Sequence, residues 1–217
     1  MDILTAMSQR RSVRAFLEKQ VSRADIEDII EYGGMAPSAI NLQPWEFIVT
    51  YGDEMERLIR RLKKVHSERN VSCGPGTSKP LPARFSARSR KALKVMEPSI
   101  TGLGKEFNRF IEDGSCSFYG APIAIVVTID RVFPKIRYLD VGLSVSYLIL
   151  AAHAKGLSTC PIGLIKEYAD DIADVLNIPD EKEILLTIAL GYGDEDSPVN
   201  DFKTDREELS EILTWYE

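Results

Sequence analysis

The amino-acid sequence predicts a mixed α/β chain, folded as one domain of 217 residues. Three observations carry that class. Two apolar runs rich in Ile and Val, at 123–129 and 184–190, have the length and continuity of strands buried on both faces. Before and between them, apolar residues recur at the three- and four-residue spacing of amphipathic helices. No internal repeat or linker interrupts the alternation of strands and helices, which excludes an all-α or all-β design.

Residues 2–9 form the first expected helix, with Ile3, Leu4 and Met7 on one face. Ser22 and Asp25 make a capping box, and Ile26, Ile29 and Ile30 continue at helical spacing. Gly33-Gly34 is expected to stop that helix and free the chain for a loop at Pro37. Residues 46–51 are rich in β-formers and read as a strand. Asp53 is expected to cap a helix to about Val65, with Met55, Leu58, Ile59 and Leu62 on its apolar side. From 70 to 120 the pattern is least regular. Gly74-Pro75-Gly76, Pro80-Leu81-Pro82 and Gly102-Leu103-Gly104 punctuate it, and only short helical patterns stand out at 91–96 and 105–111. Residues 137–156 read as a long apolar helix ending at Gly156, and 166–177 as another, stopped near Pro179. Thr204 and Glu207 suggest the cap of a C-terminal helix.

A net charge of −6 argues against generic nucleic-acid binding. The start of the chain has no basic region followed by an apolar core, and no apolar segment is long enough to span a bilayer, so no membrane partner is expected. Cys73, Cys116 and Cys160 are an odd number without Cys-x-x-Cys spacing, which fits free thiols in a reducing, cytoplasmic setting. Charge is uneven. Between Arg57 and Lys94 twelve Lys/Arg face one acid, a net +11 against −17 for the remainder. That segment reads either as a mobile, anion-guiding cover or as a solvated helix and loop.

Familiar catalytic patterns fail on inspection. Gly74-Pro75-Gly76-Thr77-Ser78-Lys79 lacks the Gly-Lys-Ser/Thr order of a phosphate loop, and Gly142-Leu143-Ser144-Val145-Ser146 lacks the last glycine of a nucleophile elbow. Gly191-Tyr192-Gly193 has no third glycine or following helix, and His66 and His153 have no partners at metal-ligand spacing. With no side-chain nucleophile and no metal set, a bound cofactor is expected to carry the chemistry.

Four blocks remain. Arg10-Arg11-Ser12-Val13-Arg14 concentrates three permanent cations and a hydroxyl, which is anion-binding chemistry. Pro37-Ser38-Ala39-Ile40-Asn41-Leu42-Gln43-Pro44 offers small polar groups between prolines. Gly156-Leu157-Ser158-Thr159-Cys160-Pro161-Ile162-Gly163 is either a connector between helices or a backbone that approaches a flat ligand closely. In Phe202-Lys203-Thr204-Asp205-Arg206-Glu207 the expected helix start would put Arg206 at an anion-favouring terminus; the alternative is an exposed ion pair with Asp205 or Glu208.

In order and position these blocks, with Gly120-Ala121-Pro122-Ile123-Ala124-Ile125-Val126, resemble the FMN-dependent nitroreductase family. The resemblance implies an α+β fold with a mixed, mainly antiparallel sheet flanked by helices. It also implies an intertwined homodimer with FMN at the interface, and NAD(P)H as reductant. Carried over, Arg10, Ser12 and Arg206 would hold the FMN phosphate, Arg11 less directly, and Arg14 would lie near the flavin N1 and O2 edge. Pro37, Ser38 and Asn41, with Gln43, would pack around the ring from the partner subunit. Cys160, Pro161, Ile162 and Gly163 would line it, offering a backbone N–H to N5. Cys160 beside a flavin is redox active or a packed, inert thiol; packing is the expectation. The implied activity is hydride transfer from NAD(P)H through FMN to a small electron acceptor, a nitroaromatic or quinone. The alternatives are a dehalogenating or flavin-degrading relative, and a non-catalytic flavin- or nucleotide-binding protein. Residues 66–116 match the family least and read as a basic, irregular insert or lid.

Overall fold

The computed structural model describes residues 1–69, 71, 77 and 79–217. Cys73 and most of the Gly74-Pro75-Gly76-Thr77-Ser78-Lys79 stretch lie outside the described residues. The helices are α1 (Ile3–Gln9), α2 (Arg23–Gly34), α3 (Gly52–Arg69), α4 (Ala83–Thr101), α5 (Phe107–Cys116), α6 (Tyr138–Ala154) and α7 (Ala169–Leu176). The strands are β1 (Trp45–Tyr51), β2 (Ile123–Asp130), β3 (Ser158–Ile162) and β4 (Lys182–Gly191). They form one sheet in the order β1-β2-β4-β3, every neighbouring pair antiparallel.

The apolar runs are strands because both sheet faces are covered. Ile123, Ile125, Val127 and Ile129 of β2 face α2 and α6, whereas Ala124 and Val126 face the cluster that contains Leu58 and Leu62 of α3, Cys116 of α5 and Ile172 of α7. The alternation of a strand thus sends its residues to two cores. The capping box forms as expected, with Ser22 Oγ accepting from the Asp25 N–H at 3.0 Å.

Several sequence expectations need correction. Gly33 and Gly34 lie inside α2, and Met35 closes the helix in a right-handed conformation. Gly33 is needed for packing, since a Cβ there would stand 3.1 Å from Leu148 Cβ where α2 crosses α6. The turn into α3 is made by Gly52 at φ +57°, with Asp53 already inside the first helical turn. The region 70–120 is far more helical than its punctuation suggests, because α4 runs for 19 residues and keeps Pro98 within it. The segment at 158–162 is not a connector between helices but strand β3, which pairs Cys160 with Ala189. Its Ser-Thr-Cys-Pro composition hides it, since a short edge strand tolerates proline.

No helix covers Thr204–Glu207, and only a single 3-10 turn, Leu209–Glu211, follows. Arg206 occupies the acceptors that a cap would use: it donates to Thr204 O at 3.0 Å, Thr204 Oγ1 at 3.1 Å and Asp205 O at 3.1 Å. Glu207 pairs instead with Arg88 of α4 at 3.1 Å. No helix terminus is therefore present at Arg206 to stabilise an anion.

Part of the basic segment is neutralised by ion pairs. Arg61 and Arg69 of α3 both reach the buried carboxylate of Asp171 on α7, each at 2.8 Å. Arg57 and Arg60 pair along their own helix with Glu54 and Glu56. Among the described residues, no helix is long and apolar enough to cross a membrane.

Candidate functional site

Helix α1 is started by Asp2, whose Oδ1 accepts from the Thr5 N–H, and it ends where Arg10 N donates to Ala6 O. Beyond it the chain extends alongside β3. Ser12 bridges Thr159 in parallel, the only parallel pairing among the described residues, and Val13 N donates to Thr159 O at 3.0 Å. Phe16 then bridges Gly193, and Leu17 N donates to Tyr192 O. Val13 is buried, so extended alternation turns Ser12 and Arg14 the other way. Gly193 permits this close approach, because a Cβ there would meet Ser158 Oγ at 2.8 Å and Val13 Cγ1 at 3.3 Å.

One buried side chain locks this register, and sequence reasoning missed it. Asn200 Oδ1 accepts from Arg14 N at 2.8 Å, while its amide donates to Ala15 O and Asp194 O, each at 2.9 Å. Nothing local could reveal the role, since Asn200 and Arg14 are 186 residues apart.

Arg10 lies within electrostatic reach of Arg206 and Cys160, and Cys160 within reach of Arg14, Arg10 and Ser12. Burial holds the Arg10 guanidinium below its ordinary pKa, and the neighbouring positive charge of Arg206 adds to that; Cys160 acts in the opposite direction. Two cations from opposite ends of the chain repel each other here, with no carboxylate paired to Arg10 among the described residues. Burial pushes the Cys160 thiol up, against opposing pulls from Arg14, Arg10 and a Ser12 hydrogen bond. That is the environment of a packed, inert thiol rather than a thiolate nucleophile. Next along β3 and its exit, Pro161 is half-buried, Ile162 is buried and Gly163 is exposed.

Arg14 stands apart. Its guanidinium lies 5.9 Å from the Tyr119 ring centre and 5.8 Å from that of Phe202, and its buried Nε has no hydrogen-bond partner. An orphaned buried donor is a costly feature that a bound acceptor would relieve. Arg11 is half-buried, and its charge reaches His153.

The Pro37–Gln43 block is not joined to this cluster by any hydrogen bond or ion pair among the described residues. It is a turn pinned from within, Gln43 N donating to Ser38 Oγ at 3.0 Å. Ile40, Asn41 and Gln43 all have positive φ, at 44°, 60° and 49°. Three left-handed non-glycine residues cost energy, and such strain concentrates at functional loops. Ile40 is 91% exposed.

Beside Arg14 opens a cavity of about 1280 Å³. Its walls include Phe16, His66 and Tyr119, with Leu103, Gly104, Lys105, Glu106 and Arg109, so the region between α4 and α5 borders it.

The structure is thus of the α+β class, with Arg10 and Arg206 near one another and a cavity beside Arg14. The chain belongs to the nitroreductase family, whose model matches residues 7–192. It is 32% identical to a 4-nitrobenzoate reductase of Pseudomonas putida, covering 95% of this chain and 92% of that one. It is likewise 32% identical to the nitroreductase NfnB of Mycolicibacterium smegmatis, over 93% and 87% of the two chains. The solved structure of the FMN-dependent nitroreductase NfnB from Mycobacterium smegmatis in complex with NADPH matches with TM-score 0.88 and 27% identity, covering 100% of both chains.

Proposed function

We propose that this protein is an FMN-dependent oxidoreductase that takes reducing equivalents from NAD(P)H and delivers them to a small acceptor, a nitroaromatic or quinone. The observation that carries the reading is the uncompensated convergence of Arg10 and Arg206 beside Ser12. A phosphate between two guanidinium groups replaces their repulsion with charge-assisted hydrogen bonds. Arg10, Ser12 and Arg206 would hold that phosphate, with Arg11 contributing field. Arg14 would face the ring, and Cys160, Pro161, Ile162 and Gly163 would line it. FMN, when bound, supplies hydride acceptance from NAD(P)H and its onward transfer to an acceptor in the same pocket, in ping-pong order. The residues bind and orient; none has to act as a general acid or base. The stretch 66–116 would wall the acceptor cavity.

A homodimer completes the site in this reading, with Pro37, Ser38, Asn41 and Gln43 reaching the flavin of the partner. Two features support it. The strained loop makes no hydrogen bond to its own cluster among the described residues and leaves Ile40 exposed, and α6 carries Leu139, Leu143 and Tyr147 exposed at four-residue spacing, opposite a face that is already buried. An apolar stripe of that kind marks an association surface.

The test is direct. Purified protein should carry or take up FMN, NADPH or NADH should bleach it anaerobically, and nitrobenzoate or a benzoquinone should restore the colour. Initial rates against both substrates should give parallel double-reciprocal lines. Protein that takes up no FMN on reconstitution would sink the proposal.

A second expectation concerns His153, one of two histidines in the chain. Burial lowers its pKa from the ordinary 6.5, and Arg10 and Arg11 lower it further. The unfolded chain therefore binds more protons below 6.5, so the apo-protein should lose stability as pH falls through that value. A phosphate that neutralises Arg10 should move the His153 titration upward. NMR titration with and without FMN, assigned with His153→Gln, measures this. An unmoved His153 would place the phosphate away from Arg10.

A further inference from the structure

We propose that Tyr119 and Phe202 are positioning residues that hold Arg14 as a cation without a counter-ion at the cofactor pocket, so that it favours the added negative charge of the reduced cofactor. The proposal rests on FMN binding at the Arg10–Arg206 cradle and goes beyond it by assigning two residues outside the binding motifs.

The geometry carries the argument. Both ring centres lie within cation–π range of the Arg14 guanidinium, at 5.9 and 5.8 Å. An aromatic face attracts a cation without cancelling its charge, as a carboxylate would. Among the described residues, no acid forms an ion pair with Arg14. A guanidinium held by π faces therefore keeps its full field for a ligand, and its orphaned Nε keeps a donor in reserve.

The Tyr119 ring is held by features that would otherwise be unexplained costs. Phe118 and Tyr119 are consecutive left-handed residues, at φ 51° and 55°. Such strain persists only where the surroundings over-determine it. Here Phe118 is fully buried, Ala121 N donates to Phe118 O, and the Tyr119 hydroxyl donates to Ile111 O at 3.3 Å, with Ser115 Oγ also within 3.3 Å. Gly114 makes room for the ring, since a Cβ there would stand 2.3 Å from Tyr119 Cε1. Burial, and then the neighbouring Cys160, pushes the phenol up to about 12 despite Arg14. Tyr119 is thus a neutral ring at physiological pH and no hidden anion. Phe202 follows Asn200, whose side chain already binds the Arg14 backbone, so one short segment sets both the main chain and the side chain of Arg14.

The experiment compares Arg14→Met, Phe202→Leu, Tyr119→Leu and Tyr119→Phe in the FMN-loaded protein, by dye-equilibration potential and by affinity for oxidised and reduced FMN. Removing either ring should cut the preference for reduced over oxidised FMN about threefold to tenfold, the scale of one cation–π contact. Arg14→Met should cut it further. Tyr119→Phe keeps the ring and removes the hydroxyl, which also hydrogen-bonds Arg14; a variant that keeps most of the wild-type preference assigns the positioning to the ring, whereas one that falls as far as Tyr119→Leu assigns it to the hydroxyl and overturns the role of the π face. Phe202 is only half-buried, so Phe202→Leu remains decisive if Tyr119→Leu does not fold. If Arg14→Met lowers the potential while neither ring variant does, the positioning role is overturned and the cofactor site stands. If Arg14→Met itself leaves the potential unchanged, Arg14 does not face the ring and the placement of FMN fails with it.

Discussion

Replacing Arg10 and Arg206 together by alanine is expected to weaken FMN binding by about a hundredfold to ten-thousandfold. Each guanidinium would give one charge-assisted contact to the phosphate, worth on the order of 1.5–3 kcal/mol, or roughly tenfold to a hundredfold alone. The two are coupled. In the free protein they repel, so removing one relieves the other and the single variants should sum to something other than the double. Arg206 is further tethered by three donations to Thr204 and Asp205, so its head arrives preorganised although its segment is not helical. Fluorescence titration of apo-protein would read all three variants. Unchanged affinity in the double variant would remove the phosphate from this end of the site.

The second large effect is expected far from the cofactor. Asp171→Ala should destabilise the fold by about 2–4 kcal/mol, toward the low side for a broken buried ion pair. The Asp171 side chain is 2% exposed and receives Arg61 and Arg69, while those arginines are 41% and 48% exposed. The freed guanidinium groups can therefore turn to water, which moderates the loss. Loosening should begin where α7 meets the end of α3, and a fall of roughly 4–16 °C in melting temperature follows for a domain of this size. Thermal melts and hydrogen exchange on α3 and α7 would test it. A variant as stable as wild type would mean that the cluster merely disperses charge.

The Asp171 cluster also bears on the basic segment. From sequence, a net +11 reads either as a mobile, anion-guiding cover or as a solvated helix and loop. Part of that charge is instead drawn to a carboxylate on α7, 110 residues from Arg61. Sequence shows how much charge a segment carries; it does not show which distant acid comes near. The same limit hid β3. Five residues containing a proline have no periodicity of their own, and only pairing with β4 and Ser12 makes them a strand. At the C-terminus a capping pattern was present, yet Arg206 and Arg88 took the groups it needed.

By itself the sequence determined the class of fold, the two central strands, most helices and the clustered cations that are proposed to hold the cofactor. These depend on local spacing: apolar runs, helical periods, a capping box and clustered cations. Tertiary structure alone decided that Asn200 holds the Arg14 backbone and that Tyr119 and Phe202 receive its guanidinium, whereas the approach of Arg10 to Arg206 was expected only through the family resemblance. Each of those contacts joins segments about a hundred or more residues apart. No local propensity encodes such meetings, because they follow from sheet order and from which faces the helices must bury.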